Sequence, residues 1–401
     1  MRTFLLLLCL VLGLIPGNAP AQSIFLTKDE ILSLPTTGGG WTAVKTAADQ
    51  EPAAPKLSNQ DEKENCRTLA RALVYVRTGS TSYRDKVIAT LKQVPGTESG
   101  GRVLALGRKL GAYVCAADLV GYRDAVFVQF VKDVRKKSLD GKTLIGVSEG
   151  KTNNWGSSAM SARAAAAAYL GDLADLARCG VVFRYYLGDR NAGFIAPNDA
   201  FGCTAWQPDP TKPCVICPVN STLQGHLVSG ALPEELRRWN GECGGFVWPP
   251  PKENYEYSAL EGLLFTAWIL SQNGFPDVWD WSDKALLRVM NWLYVTSNFP
   301  AIGDDTHQPH LVNAIYGTTF AAASPSTHGK LWGFEDWFAR VGQGELPPAP
   351  PPEIKLGFEW SFDVATKLWG CQTANEDKIG HGATTEAALT NWISLNPGVI
   401  K

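Results

Sequence analysis

The sequence has almost no excess of charge, because 37 lysines and arginines stand against 39 aspartates and glutamates, a formal net charge of −2 at pH 7. A protein that binds nucleic acid through its phosphates carries a strong basic excess. The near-neutral balance therefore argues against a nucleic-acid partner. It changes little, to −3 from 36 basic and 39 acidic residues, if a leader containing Arg2 is removed.

Long hydrophobic runs are also scarce, and the most apolar one, FLLLLCLVLGLI, begins at Phe4. It follows the basic residue Arg2 and precedes small residues that end at Ala21. Such a run is too short to span a membrane and is typical of a secretory signal peptide. We therefore predict a signal peptide at residues 1–21 and an exported protein with no membrane partner.

Linkers are missing from the middle of the chain, although the mature part, residues 22–401, is longer than a typical domain. The clearest low-complexity stretch is the proline-rich ELPPAPPPE, which begins at Glu345. We predict a single domain over residues 22–401, with the proline-rich run at 345–353 as a strap across its surface. A monomer is expected.

Strand-like alternation and glycine-rich phosphate loops are scarce as well, and helical periodicity takes their place. Apolar residues at Cys66, Leu69, Leu73 and Val76 follow spacings of three and four, which predicts one buried helix face. These four residues lie in the segment 64–79. Six further segments show the same period, namely 83–94, 101–121, 123–137, 171–187, 257–274 and 283–297. Consecutive helices with short links favour antiparallel hairpins. We predict an all-α fold in which such hairpins close into an (α/α) toroid.

Cysteines, in contrast, are numerous. The chain contains 9, and eight remain if Cys9 is removed with the signal peptide. An even number in an exported chain favours disulfides. A single CxxC pair, Cys214 and Cys217, is weak evidence for zinc or redox chemistry. We expect few or no free thiols, with bridges in the cluster Cys203 to Cys243 holding the loop between them.

Two asparagines and a tryptophan open an alanine-rich helix. Asn153, Asn154 and Trp155 precede the run GSSAMSARAAAAAYL. One asparagine side chain is enough to cap the free N–H groups of a helix start. We expect Asn153 to be the cap, which leaves the amide of Asn154 for a ligand.

The longest irregular segment, residues 199–257, contains many aromatic and polar side chains. Long irregular loops in compact domains are functional or disordered, and the cysteines and aromatics here favour order. The segment contains His226, the run LPEELRR at 232–238, and two tyrosines, Tyr255 and Tyr257. It also contains a glycosylation sequon at Asn220, usable in a eukaryotic host.

Asparagine, arginine and tyrosine near helix starts are unusual catalytic residues for a glycoside hydrolase, because that reaction needs two carboxylates at a suitable spacing. They suit β-elimination on a uronic acid. An amide and a guanidinium neutralise the sugar carboxylate, and an ionised tyrosine removes the proton at C5. In β-linked mannuronate and glucuronate this proton and O4 lie on one face, so the same tyrosine can protonate O4. The reaction requires no metal or cofactor.

In these motifs the chain resembles the alginate lyase superfamily, the α/α-toroid polysaccharide lyases of families 5 and 38. Family 5 combines Asn-Asn-His, Leu-Pro-x-Glu-Leu-x-Arg and a Tyr that opens a helix with Ala-Leu-x-x-Leu. The counterparts are Asn153-Asn154, Leu232–Arg238 and Tyr255 before Ala259-Leu260-Glu261-Gly262-Leu263. The resemblance spans roughly residues 100–337 and implies a toroid fold and alginate or glucuronan as substrate.

Carried over by position, Asn154 and Arg238 hold the carboxylate and Tyr255 is the acid and base. Trp155 stands where family 5 has its catalytic histidine, and the gap between arginine and tyrosine is longer. The TNNWG and DVWDWSDKALLR runs are closer to family 38. In that interpretation His226 takes the imidazole role.

Several further residues are candidates for substrate binding, and two rival functions stay open. Tyr257 could also replace Tyr255 as the acid and base, and the segment around His310 and Tyr316 is either a groove wall or structural support. The rivals are an α/α-toroid hydrolase and a sugar-binding protein without catalysis. The hydrolase would use carboxylates such as Glu234, Glu235, Asp304 or Asp305. The predicted substrate-binding residues are Asn153, Trp155, Tyr257, Arg237, His310 and Tyr316.

Overall fold

The computed structural model of the protein describes residues 23–197 and 200–339, together with the backbone of three strands at 358–363, 368–373 and 380–382. The predicted signal peptide at 1–21 and the predicted strap at 345–353 lie outside the described residues. Among the helices that are described, none has both the length and the hydropathy needed to cross a membrane.

The described chain is mostly helical, which confirms the all-α class. Every segment predicted from helical periodicity is a helix within a few residues of the predicted bounds. The helices are α1 Lys28–Ser33, α2 Gly38–Asp49, α3 Glu64–Thr78, α4 Thr81–Gln93, α5 Val103–Leu119, α6 Ala125–Val134, α7 Leu144–Gly150, α8 Asn154–Leu170, α9 Leu173–Leu187, α10 Pro233–Leu236, α11 Tyr255–Gln272, α12 Trp281–Asn291, α13 Gln308–Tyr316 and α14 Glu335–Phe338.

Five short strands accompany the helices in the described part of the chain. β1 Thr222–Leu223 and β2 His226–Leu227 form a small antiparallel hairpin inside the long irregular segment. β3 Phe358–Asp363, β4 Leu368–Thr373 and β5 Gly380–Gly382 form an antiparallel sheet in the order β3-β4-β5. This sheet was not predicted. Phe358, Trp360 and Phe362 do alternate with polar residues, which is the signal that could have indicated it.

The core is built around α8, which packs against α5, α7, α9 and α11. Small residues at the crossings make this possible. A Cβ added at Gly107 of α5 would lie 3.0 Å from the backbone nitrogen of Ala159. A Cβ added at Gly262 of α11 would lie 2.6 Å from the carbonyl carbon of Ser157. The alanine-rich sequence of α8 therefore serves close helix packing on several sides, and nearly all of its residues are buried.

One disulfide is present among the described cysteines. It joins Cys203 to Cys243, with the two Cα atoms 5.8 Å apart, and so bridges the two ends of the cysteine cluster as expected. The sulfur atoms of Cys214 and Cys217 lie 3.9 Å apart and are not bonded to each other.

The prediction that few or no thiols are free is wrong for this structure. Five cysteines are buried and unpaired, namely Cys66, Cys115, Cys179, Cys214 and Cys217. Three of them lie on separate core helices, where cysteine packs as a small hydrophobic residue. Burial raises the pKa of the Cys115 thiol well above its usual value, which makes it unreactive.

We predict that Gly262→Ala destabilises the fold. The new methyl group would lie 2.6 Å from backbone atoms of Ser157, so that α8 and α11 would have to move apart. Overpacking of this kind costs about 1–3 kcal/mol, to be measured as the free energy of unfolding in urea. The matched control is Gly150→Ala at the end of α7, where an added Cβ meets no atom within 4 Å. Equal stabilities of the two variants would contradict the packing argument.

Candidate active site

The two asparagines at the start of α8 have different roles. Asn153 is the N-cap, and its side chain accepts a hydrogen bond from the backbone nitrogen of Trp155 at 3.1 Å. Asn154 is 1% exposed, and its Oδ1 accepts from Nη1 of Arg238 at 3.2 Å. Its Nδ2 donates to no residue in the described part of the chain. The predicted cap at Asn153 is confirmed, and the role of the Asn154 amide towards a ligand stays a prediction.

Glu235 connects the start of α8 with Arg238. One carboxylate oxygen accepts from the backbone nitrogen of Asn154, and the other accepts from Nη1 of Arg238 at 3.2 Å. Glu235 lies in α10, a single helical turn that begins at Pro233. Burial raises the pKa of Glu235 to about 7, although the charge of Arg238 and the hydrogen bond from Asn154 oppose the shift. At the sequence level Glu235 was a candidate for hydrolase chemistry alone.

Arg238 contacts Tyr255 directly. Its guanidinium lies 3.7 Å from the centroid of the tyrosine ring, a cation–π arrangement. Tyr255 is the first residue of α11 and is 38% exposed, and its hydroxyl group has no hydrogen bond to a described residue. The three residues predicted to share one reaction, Asn154, Arg238 and Tyr255, therefore form one contiguous group.

Arg238 and Tyr255 of this group line a cleft of about 620 Å³, whereas the buried Asn154 is not among the lining residues. The volume is typical of sites for small molecules or sugar units. The Cys203–Cys243 disulfide forms part of its wall. The lining residues are Asn153, Gly202, Cys203, Arg237, Arg238, Gly241, Glu242, Cys243 and Tyr255.

Arg237 lines the same cleft and stabilises its wall. Its Nε donates to Glu234 at 2.8 Å, and its Nη1 donates to the carbonyl of Glu242. The carboxylate of Glu234 in turn accepts from the backbone nitrogen of Gly202 at 3.0 Å and 3.1 Å. These bonds tie the residues beside Cys203 and Cys243 to α10, and they use two of the five N–H donors of Arg237.

His226 does not line the cleft. It lies in β2, and its ring stacks on that of Trp248 with 4.3 Å between centroids. Trp155 is also outside the set of lining residues, with Arg102 over its ring at 4.8 Å. The structure does not bring either aromatic group to Tyr255, so the imidazole role of His226 stays a prediction.

Three of the predicted substrate-binding residues have hydroxyl or imidazole groups that bind backbone carbonyls instead. Tyr257 is fully buried and donates to Phe299 at 2.7 Å. His310 lies 2.8 Å from the carbonyl of Ala323, and Tyr316 donates to that of Trp279 at 2.7 Å. These bonds support loops, and none of the three residues lines the cleft, so that their contact with substrate stays a prediction. Tyr255, and not Tyr257, faces the cleft.

The remaining carboxylates named for hydrolase chemistry, Asp304 and Asp305, do not line the cleft. Asp304 is paired with Lys63 at 2.6 Å. Burial raises the pKa of Asp305 to about 7. Within the described residues no group of three or more His, Cys, Asp or Glu side chains has an arrangement that could hold a metal ion.

A buried ion pair at His307 holds the chain segment that follows α13. Its Nδ1 lies 2.8 Å from Glu335 of α14. Burial lowers the pKa of His307, but the charge and hydrogen bond of Glu335 outweigh this effect and raise the pKa to about 9. The pair is fully buried and separate from the cleft residues, so we assign it to stability.

Comparison with models of known protein families finds no match to this chain, and comparison with curated proteins finds none either. The functional assignment therefore rests on the geometry of the cleft and on the motifs.

We predict that Glu235→Gln changes how stability depends on pH. Because the pKa of Glu235 is about 7 in the folded protein and near 4.5 when unfolded, the folded state alone holds this proton between those values. Stability should fall as pH rises through this window, by at most about 3 kcal/mol from this group. The variant should lose that part of the decline in urea unfolding measured from pH 4.5 to 8.

The control for this measurement is Glu242→Gln, which removes an exposed carboxylate in the same region. Other buried acids contribute equally to the parent protein and both variants, so they cancel in the difference. Parallel pH profiles for Glu235→Gln and the parent protein would contradict the assignment.

Proposed function

We propose that the protein is a secreted polysaccharide lyase that cleaves β-1,4-linked polyuronate, glucuronan or polymannuronate, by syn β-elimination. The observation that carries this proposal is the contact of Arg238 with both Asn154 and Tyr255, at a cleft that Arg238 and Tyr255 line. These residues begin or follow three different helices, and each has a separate part in the elimination. The disulfide is compatible with export.

Asn154 and Arg238 supply the groups that neutralise the substrate carboxylate. Both hydrogen bonds of Arg238 use Nη1, so its Nη2 and Nε can donate to a carboxylate, as can Nδ2 of Asn154. Neutralisation matters because removal of the C5 proton develops a second negative charge on the carboxylate group. A preorganised donor to such developing charge stabilises the transition state by about 3–4 kcal/mol.

Tyr255 is the group that moves the proton. Its ionised oxygen takes the proton from C5, the electron pair forms the C4–C5 double bond, and the C4–O4 bond breaks. The same hydroxyl then gives the proton to O4 of the leaving sugar. The guanidinium of Arg238 against the ring stabilises negative charge on the tyrosine. A metal ion or cofactor has no step to perform in this sequence of events.

We also propose that the helices form the (α/α) toroid of such lyases within a single domain. Supporting this, α3, α5, α8 and α11 pack one against the next in series. The intervening helices α4, α7 and α9 pack against members of this series. An inner row of alternate helices with an outer row beside it is the arrangement that helical hairpins produce when they curve around a groove.

A glycoside hydrolase is the alternative that one observation favours, because Glu235 is a buried carboxyl group with a pKa of about 7. A general acid needs such a value. Its sequence neighbour Glu234, however, uses its carboxylate for Gly202 and Arg237. Incubation with glucuronan, polymannuronate and polyguluronate separates the two reactions. A lyase forms an unsaturated uronate that absorbs ultraviolet light, whereas a hydrolase forms reducing ends without that absorbance.

We predict that Asn154→Ala and Arg238→Ala each lower the elimination rate by about two orders of magnitude or more, since each removes one donor to the developing charge. Initial rates are followed by ultraviolet absorbance, with circular dichroism to check folding. Asn191→Ala, on an exposed turn, is the control and should keep the parent rate. Near-parent turnover by folded Asn154→Ala would remove the carboxylate-clamp role.

We predict that Tyr255→Phe binds polymer almost normally and turns it over very poorly. Phenylalanine keeps the ring beside Arg238 and removes only the hydroxyl group, so kcat should fall far more than KM changes. Guluronate blocks should be poor substrates, because there H5 and O4 lie on opposite faces of the sugar.

The control is Tyr257→Phe, which removes a buried hydrogen bond to Phe299. It should lower the stability by about 1 kcal/mol and leave kcat nearly unchanged. An active Tyr255→Phe enzyme, or a preference for polyguluronate, would count against the single-tyrosine mechanism.

A further inference from the structure

Arg108 is a buried cation whose side chain makes no hydrogen bond to a described residue. Its side chain, on α5, is 7% exposed, and within the described residues its guanidinium has a single ion pair, to Asp61 at 4.0 Å. Buried arginines are normally paired at shorter distances by several of their five donors. No residue in the described part of the chain therefore uses the donors of Arg108.

The position of Arg108 on α5 brings it near the start of α8, the helix that Asn154 begins. A Cβ added at the neighbouring Gly107 would lie 3.0 Å from the backbone nitrogen of Ala159, in the second turn of α8. Burial lowers the pKa of Arg108, and the charges of Glu261, Asp61 and Glu235 oppose this shift. Glu235 is the residue that accepts a hydrogen bond from the backbone nitrogen of Asn154.

Lys330 is a second cation at the same position. Its Nζ lies 3.0 Å from Oδ1 of Asp61, the same oxygen that faces Arg108, and its side chain is 33% exposed. The main chain of Lys330 is held by two hydrogen bonds to its carbonyl oxygen. Its carbonyl accepts from Nδ2 of Asn65 at 3.0 Å and from Nζ of Lys109 at 3.1 Å.

Asp61 differs from both cations in its surroundings. It lies in the irregular segment between α2 and α3, and its side chain is 62% exposed. The hydrogen bond from Lys330, with the charges of Lys330 and Arg108, lowers the pKa of Asp61, so that it is an anion at neutral pH. The carboxylate of Asp61, on an exposed segment, thus lies close to two cations. Arg108 is buried, and the main chain of Lys330 is bonded to core side chains.

We propose that Arg108 and Lys330 form a second carboxylate-binding subsite for polyuronate, which Asp61 fills in the free protein and a uronate carboxylate fills when substrate binds. The proposal rests on the proposed function. A polyuronate has one carboxylate on every sugar, so a chain that crosses the cleft presents a second carboxylate beyond the one held by Asn154 and Arg238. The planar fork of Arg108 is suited to receive it.

The proposal predicts that removal of Lys330 and removal of Asp61 change KM in opposite directions. Lys330→Ala removes an attractive charge and should raise KM for polymer about tenfold with little change in kcat. Asp61→Ala removes the competing carboxylate and should lower KM, about threefold or more. If Asp61 were only a structural partner of Lys330, its removal would not improve binding.

The experiment measures KM and kcat on polyglucuronate and polymannuronate for the parent protein, Lys330→Ala, Asp61→Ala and the double variant. The double variant should resemble Lys330→Ala more than Asp61→Ala, because the competitor matters only while its site exists. Lys45→Ala is the matched control, since Lys45 pairs with Asp49 on α2 and the charge change is the same. Arg108→Lys, which keeps the buried charge, should raise KM through loss of the fork.

Calorimetric titration of polymer into the Tyr255→Phe background gives the same comparison without turnover. If the parent protein neither cleaves nor binds any polyuronate, the proposed function fails and the subsite fails with it. If the parent protein is active, but KM is unchanged in Lys330→Ala or is not lowered in Asp61→Ala, the subsite alone is overturned.

Discussion

The carboxylate of Glu235 is the contact on which the geometry of the cleft depends. It joins the first backbone N–H of α8 to the guanidinium of Arg238, and that guanidinium reaches both the amide of Asn154 and the ring of Tyr255. Glu235 is almost completely buried, and the charge of Arg238 offsets only part of the loss of water around it, since the pKa of Glu235 is still raised to about 7. The hydrogen bonds of this one carboxyl group connect α10 with the start of α8 and with Arg238.

Close helix packing provides the frame in which this contact can form. Asn154 begins α8 and Tyr255 begins α11, and the two helices approach closely because Gly262 lies against the backbone of Ser157. A larger residue at that crossing would separate the helix starts that carry the reactive groups. The disulfide and the ion pair of Arg237 with Glu234 hold the irregular segment in place. Stability and the arrangement of the site are therefore achieved by the same contacts.

The distribution of charge is more informative than its sum. The chain is close to neutral overall, yet two cationic groups, Arg237 and Arg238, line the same cleft, and Arg238 lies on the ring of Tyr255. A polyanionic substrate that is bound through each of its carboxylates needs such local positive charge rather than a basic protein. The carboxylate of Asp61 beside Arg108 and Lys330 shows what kind of group these cations accept.

The sequence by itself determined the helices, because helical periodicity and caps are set by residues within one or two turns of each other. For the same reason Asn153 could be predicted as the cap of α8. The motif order also indicated Asn154, Arg238 and Tyr255 as one group. Only the tertiary structure decided which tyrosine faces the cleft, that Glu235 links the group, and that most described cysteines are unpaired. These outcomes depend on contacts between residues far apart in the chain, such as the 84 positions between Asn154 and Arg238. Such contacts are created by helix packing, which no local pattern records.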